Sequence, residues 1–427
     1  MTAEIGVMNR LGVALAADSA VTIGGDTRKV FSSADKLFQL AMAAPVGIMI
    51  YGNASFIELP WEMVIKVFRT RLGTTTHPHL VGYAEAFVTY LKQQSSLFTP
   101  ELELASVKRL VSVLLYNLRQ RISDSISKKA EAQNGLDAED LPQIIADLVS
   151  ARHDVIVGRP FLEGFVEGDI AHARDTYGRM IDELLSEIFG SLPMRPETRE
   201  AIIELALHAL VRRFMGPSMS GIVIAGFGED EYVPSLIHYH IEEKALSRVR
   251  LSRVDNTTIA AGTEAAIVPF AQSDAASTFL EGIAPQLQKE MQASVNALFD
   301  GTKDAIIEEL REENADLAAR LDAQLTPALQ TTLARLFVGW SEMRECFWSP
   351  VLDMVEALPK DELAAAAEAL VNLTKFRRRV TPVHESVGGP IDVALITKGD
   401  GFVWVKRKHY FSPELNPRAI GRLHREN

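Results

Sequence analysis

The sequence predicts an α+β protein in which antiparallel sheets are stacked and covered by helices. Short β-type segments parted by turn residues fill residues 3–51, return at 220–241 and again at 391–406, and segments of helical period lie between them. Runs of strands therefore alternate with runs of helices, a pattern that favours antiparallel sheets with separate helical layers over a parallel βαβ sheet. With 47% hydrophobic residues in 427, the chain can also fill a sizeable core.

The elements follow in order. Segments 5–8, 12–17, 21–23, 36–40 and 46–51 read as successive antiparallel strands, with Gly24-Gly25 as a turn after the third. From Asn53 the period changes, and Trp61, Val64, Ile65, Phe68 and Leu72 recur at helical spacing, as do Val107, Leu110, Val111, Leu114 and Leu118. An added helical layer is expected over 125–218, with one stripe through Tyr177, Ile181, Leu184 and Ile188 and another through Ile202, Leu205 and Leu210, broken at Pro193 and Pro196. Strand character resumes at 220–226 and 232–241. After Ser273 the chain is again helical, with an acidic amphipathic helix over 306–321 and an Ala-rich one over 363–373. Two last strands, 391–397 and 401–406, are joined by Lys398-Gly399-Asp400, a good hairpin turn.

Composition excludes several function classes. A net charge of −12 argues against a surface built to neutralise phosphates, so nucleic acid is not an expected partner; Lys375-Phe376-Arg377-Arg378-Arg379 and Lys406-Arg407-Lys408 read as a solvated face. The single cysteine, Cys346, permits no intrachain disulfide and fits a cytoplasmic setting. No signal pattern and no apolar run long enough to cross a bilayer is visible, so no membrane role is expected.

The chemistry is concentrated at the start of the chain. Removing Met1 leaves Thr2 with a free α-amine beside its own hydroxyl, so one residue supplies nucleophile and base. An α-amine with a reference pKa of about 7.7–8.0 is substantially neutral at working pH and can take the hydroxyl proton.

Thr2, Ile5-Gly6, the segment from Gly12 ending Ala16-Ala17-Asp18-Ser19-Ala20-Val21-Thr22, Lys36-Leu37-Phe38-Gln39-Leu40 and Ile50-Tyr51-Gly52 resemble the opening of a proteasome β subunit and its bacterial relatives, which are N-terminal-nucleophile hydrolases. The resemblance is strongest over 2–58 and covers less than half the chain. It implies a four-layer αββα sandwich of two antiparallel sheets, enlarged by helical insertions. The core would comprise 1–124, 219–289 and 376–427, and the insertions 125–218 and 290–375. It also implies hydrolysis of a peptide or amide bond through an acyl-enzyme on Thr2, with no metal or organic cofactor, a peptide or protein substrate, self-assembly into rings and an ATPase partner.

Residue by residue, the resemblance makes Thr2 the nucleophile, Asp18 the acid on the second strand, Lys36 the buried lysine and Gly52 the backbone oxyanion donor. A longer turn around Gly24-Gly25 absorbs the extra length between Asp18 and Lys36. The Lys36 ammonium would favour deprotonation of Thr2, Asp18 would keep Lys36 charged and oriented, and an oxyanion donor is worth about 3–4 kcal/mol in other hydrolases. Thr22 would hold substrate backbone as an added strand. Val21, Ala34, Ile50, Ala54 and Glu58 would line the pocket for the side chain before the scissile bond, an apolar pocket with one acid at its base. Ser273 falls where the family has a serine between two glycines, here replaced by Gln272 and Asp274. The family's Asp-x-x-Ser-Gly pattern becomes His384-Glu385-Ser386-Val387-Gly388-Gly389, leaving Asp274, Glu385 or Ser386 to stand in for the acid that partners the serine.

Other readings stand beside these. Thr2 can be the second residue of a chain that keeps Met1, Lys36 a surface lysine and Asp18 a turn cap. His238 and His240 share a strand face but lack a third ligand at metal spacing, so they read as strand residues. His153-Asp154 and Cys346 lie in helical layers without a visible partner. At the level of function, the alternatives are a non-catalytic scaffold or regulator that kept the fold, and an amidase acting on a small molecule.

Overall fold

The computed structural model describes residues 3–23, 29–31, 33–93, 98–133, 140–190, 192–216, 218–381, 387–409 and 415–416. The first strands are β1 (Glu4–Asn9), β2 (Gly12–Asp18), β3 (Val21–Ile23), β4 (Lys29–Phe31), β5 (Leu37–Gln39), β6 (Val46–Gly52), β7 (Ser55–Phe56) and β8 (Leu59–Pro60). Helices α1 (Trp61–Leu72), α2 (Leu80–Gln93), α3 (Pro100–Gln133), α4 (Leu141–Val157), α5 (Gly168–Phe189) and α6 (Pro196–Val211) follow. Then come β9 (Ser220–Gly226), β10 (Ser235–Ala245), β11 (Arg248–Thr258) and β12 (Ala265–Ala271), helices α7 (Asp274–Glu281), α8 (Pro285–Glu313), α9 (Ala315–Ala357) and α10 (Lys360–Val380), and strands β13 (Ile391–Thr397) and β14 (Gly401–Lys406). The class is α+β, as expected, with two five-stranded antiparallel sheets of order β12-β1-β2-β13-β14 and β11-β10-β9-β6-β5.

The chain forms two compact units. One comprises Met1–Ala34, Ile259–Leu395 and Val403–Tyr410, the other Asp35–Thr258, Ile396–Phe402 and Phe411–Asn427.

In the first unit, β1 lies between β12 and β2, and its inward residues Ile5 and Val7 share a core with Ala14 and Ala16 of β2. The Ala-rich stretch of α10 closes this core. Ala364 and Ala367 are buried there beside Leu363 and Val371, small residues that let the helix approach the sheet closely. Asn9 is fully buried, accepts from Leu11 N–H at 2.9 Å, and donates to the carbonyls of Val355 (3.0 Å) and Leu358 (2.9 Å), tying the β1–β2 turn to the end of α9. The helix expected over 306–321 is two helices. Asn314 is extended (φ −156°, ψ 98°) and its side chain accepts from Leu317 N–H, so it ends α8 and caps α9.

In the second unit, Ile48, Ile50, Ile222, Ile224, Ile237 and Ile241 of the sheet pack on Trp61, Phe68 and Phe87 of α1 and α2. Helices α3 to α6 form a bundle with its own core, and α3 crosses the 124/125 boundary drawn from sequence. Pro196 sits in the first turn of α6, where its missing N–H costs nothing. Arg250 of β11, completely buried, forms an ion pair with Glu242 and donates to the carbonyls of Leu210 (2.8 Å), Ala209 (2.8 Å) and Phe214 (2.7 Å). One guanidinium thus satisfies carbonyls left open at the end of α6 and joins the bundle to the sheet.

Strands β11 and β12 go beyond the sequence expectation, which has only two strands between 220 and 273. Arg250 and Ser252 are buried on β11, so its apolar alternation is masked by paired polar groups. Pro269 interrupts β12, which tolerates it as an edge strand. Among the described residues, no helix is long and apolar enough to cross a membrane.

Candidate functional site

Thr2 itself lies outside the described residues, but its neighbour Ala3 does not. Ala3 is buried, its N–H donates to Asp18 Oδ1 at 3.1 Å, and its carbonyl accepts from Asp18 N–H at 3.1 Å. Asp18 ends β2 with 1% of its surface exposed, and its second oxygen accepts from Ala20 N–H (3.2 Å) and Gly388 N–H (2.9 Å). One carboxylate thereby serves three main-chain donors, two of them buried, from Ala3, the β2–β3 turn and the segment before β13. Ser19 completes the clamp: its hydroxyl donates to the Pro390 carbonyl at 2.8 Å, and its N–H to that of Gly388 at 3.3 Å.

Ser273 belongs to the same unit. The β1–β12 register pairs Glu4 with Ala271, so the chain reaches Ser273 two residues later beside the start of β1. Its carbonyl accepts from Ser277 N–H at 2.7 Å, and its side chain makes no capping bond. Gln272 has φ +48°, the left-handed region natural to glycine. Gln272 holds this conformation without being a glycine, at a cost on the order of 1–3 kcal/mol. Asp274 is held elsewhere: its carboxylate lies 3.1 Å from Arg378 and 3.8 Å from Arg377 of α10. Glu385 and Ser386 lie outside the described residues. Val21, on β3, and Ala34 are half-buried, and Ala34 N–H donates to the Ser19 carbonyl at 3.1 Å. Thr22 pairs with Val30 in the β3–β4 ladder, and its side chain lies outside those described.

The remaining candidates belong to the second unit. Lys36 is 4% exposed, just before β5, and its carbonyl accepts from Ile50 N–H at 2.8 Å. Gly52, at the exposed end of β6, has φ +81°, and a Cβ there would lie 2.4 Å from the Met219 carbonyl oxygen. Both facts require glycine. The turn beyond it is braced, with Asn53 N–H donating to that same carbonyl at 3.0 Å and Ser220 Oγ donating to the Asn53 carbonyl at 2.9 Å.

Of the pocket candidates here, Ile50 is 5% exposed and packs in the core under α1 and α2, while Ala54 is exposed. Glu58, also exposed, forms an ion pair with Arg109 of α3, whose other end meets the buried Glu243 at 2.6 Å. Its carboxylate is engaged on the surface side of that bridge. Burial pushes Glu243 above the usual carboxylate range, and Arg109 opposes the shift.

One cluster is only half visible in the sequence, as His238 and His240 on one strand face. Tyr51, next to Gly52, places its hydroxyl 2.7 Å from His238 Nε2 and 3.0 Å from His240 Nε2. Its ring lies across Gly221, where a Cβ would come within 1.9 Å of it. Burial, with repulsion from His240, pushes His238 down to about 4, so both imidazoles are neutral partners of the phenol. Among the described residues no three His, Cys, Asp or Glu side chains gather as a metal site.

No protein-family model and no curated protein matches the chain. Among solved structures, Anbu (ancestral β-subunit) from Yersinia bercovieri is similar over 99% of this chain and 94% of that one, with 11% identity and a TM-score of 0.28. A superposition that loose adds nothing to what the strands and side chains themselves show.

Proposed function

We propose that the chain is a threonine hydrolase of the N-terminal-nucleophile type, cleaving a peptide or amide bond through an acyl-enzyme on Thr2 once Met1 is removed. The observation that carries this reading is the Asp18 carboxylate. It accepts Ala3 N–H at 3.1 Å and Gly388 N–H at 2.9 Å, so the residue following Thr2 is held at a fixed place. A nucleophile at a chain end needs such an anchor, because termini otherwise fray and proximity is lost.

In the proposed reaction the Thr2 amine takes the hydroxyl proton as the oxygen attacks the carbonyl. Gly52 N–H receives the oxyanion, and the leaving amine departs with the proton. Water then releases the acyl group by the same route. Lys36 supplies the positive charge that favours the alkoxide, and Ser273 relays protons to the amine. Substrate backbone would add along Thr22, and Val21, Ala34, Ile50, Ala54 and Glu58 would shape side-chain preference. Ring assembly and an ATPase partner belong to the same proposal.

The test is intact-mass analysis before and after incubation with a threonine-directed epoxyketone. Loss of Met1 and an adduct that Thr2→Ala abolishes support the hydrolase. Retained Met1 with no adduct leaves the second reading, a non-catalytic scaffold, which is favoured by the engagement of Asp274 with Arg377 and Arg378.

A further inference from the structure

The helical bundle holds a groove of about 850 Å³ between α3, α4 and α6, a size suited to a small-molecule site. Its floor is apolar, with Leu114 and Leu118 from α3, Leu148 from α4, Leu205 from α6, and Phe214 just beyond α6. Arg121, Lys128 and Arg152 line the same groove.

The arginines there differ from most others in the molecule. Arg109, Arg174, Arg199, Arg248 and Arg250 each meet a carboxylate. Among the described residues, Arg121 and Arg152 have neither an ion pair nor a hydrogen bond, although the chain carries 56 acidic residues against 44 basic ones. Arg152 is instead oriented by Phe214, its guanidinium 5.3 Å from the ring centroid. Arg159 approaches the same ring at 5.6 Å and donates to the Arg213 carbonyl at 3.2 Å. Burial pushes Arg152 below the usual arginine range, and repulsion from Arg121 and Arg159 pushes it further. Asp124, the acid in the groove, accepts from Gln120 at 2.8 Å. Arg152 thus stands beside the like charges of Arg121 and Arg159 in a groove with apolar lining, an arrangement that an anion would relieve.

We propose that this groove binds an amphiphilic anion, its carboxylate or phosphate head held between Arg121 and Arg152 and its aliphatic or aryl body laid along Leu114, Leu118, Leu148 and Phe214. Guanidinium pairs suit such heads because their planar forks bind two oxygens at once. The apolar floor then gives affinity that grows with chain length. Concavity on three helices favours a single amphiphile over a bilayer surface, which would reach the guanidiniums without filling the trough. The site stands apart from the Thr2 chemistry and does not depend on it.

The test uses the full chain and dodecyl phosphate below its micellar concentration, with dodecanol, inorganic phosphate and anionic vesicles as comparison arms, read by calorimetry and native mass spectrometry. Dodecyl phosphate should bind one to one, at least tenfold tighter than dodecanol or phosphate. Arg121→Gln/Arg152→Gln should weaken dodecyl phosphate tenfold or more and leave dodecanol unchanged, with an unaltered melting temperature certifying the fold. Equal binding to wild type and variant overturns the proposal. So does phosphate binding as tightly as dodecyl phosphate, or retention by vesicles without binding of the monomer.

Discussion

Replacing Asp18 by Asn keeps the volume of the side chain but leaves one acceptor oxygen where two now serve three N–H groups. The amide oxygen will turn toward Ala20 and Gly388, two donors on one side, and the NH2 will then face Ala3 N–H. A hydrogen bond to a charged acceptor is worth about 1.5–3 kcal/mol, and a buried donor left open costs a similar amount. Asp18→Asn should therefore weaken the anchor by about 2–4 kcal/mol and Asp18→Ala by about 4–6 kcal/mol. At 1.4 kcal/mol per tenfold, the Asn variant raises amide exchange at Ala3 by roughly 30- to 1000-fold. Hydrogen–deuterium exchange followed by NMR at the Ala3 amide reads this directly, and the Gly388 amide should change less. Exchange at Ala3 within about twofold of wild type, or identical behaviour of Asn and Ala variants, would refute the assignment of Asp18 as the clamp.

Three further outcomes follow from the same reasoning. Gly221→Ala drives a methyl to within 1.9 Å of the Tyr51 ring and should cost about 1–3 kcal/mol or more, with most of the loss absent in a Tyr51→Ala background; urea unfolding of the four variants checks this. Arg250→Met strands the buried Glu242 carboxylate and frees three carbonyls, so a loss of about 3–5 kcal/mol is expected, and less than 1 kcal/mol in chemical denaturation contradicts it. His238 binds its proton more weakly folded (about 4) than unfolded (about 6.5), so its contribution is complete above pH 6.5 and is lost as pH falls toward 4. That loss is on the order of 3 kcal/mol, and His238→Gln should flatten the curve of denaturation midpoint against pH over that window.

Strands were legible where burial is apolar. β1, β2, β6, β9 and β13 are buried apolar runs bounded by turns, and their sequence positions agree with the structure. β11 was hidden because Arg250 and Ser252 are buried on it, and burial of a paired guanidinium looks like exposure in a sequence. The break at Asn314 was hidden because an Asn inside a helical period reads as one more polar position. At the candidate site, Asp18 stood out through its place in a family pattern, yet the partners that define its role here are main-chain N–H groups of Ala3, Ala20 and Gly388, which any side chain would offer. The Tyr51–His238–His240 cluster was half visible as two histidines on one strand face. The tyrosine that joins them comes from β6, far off in sequence, and only the β6–β9–β10 pairing brings it within reach.

The order in which these pieces are made sets a clock on the molecule. β1 and β2 are synthesised hundreds of residues before their outer neighbours, β12 and β13. Until then the N-terminal hairpin has no flanking strand, and such long-range pairing is slow to form. The Asp18 carboxylate receives its third N–H only when Gly388 arrives. An unfinished chain therefore offers Asp18 the N–H groups of Ala3 and Ala20 but not the third. A truncated product ending before residue 388 carries the same first fifty residues with that anchor incomplete.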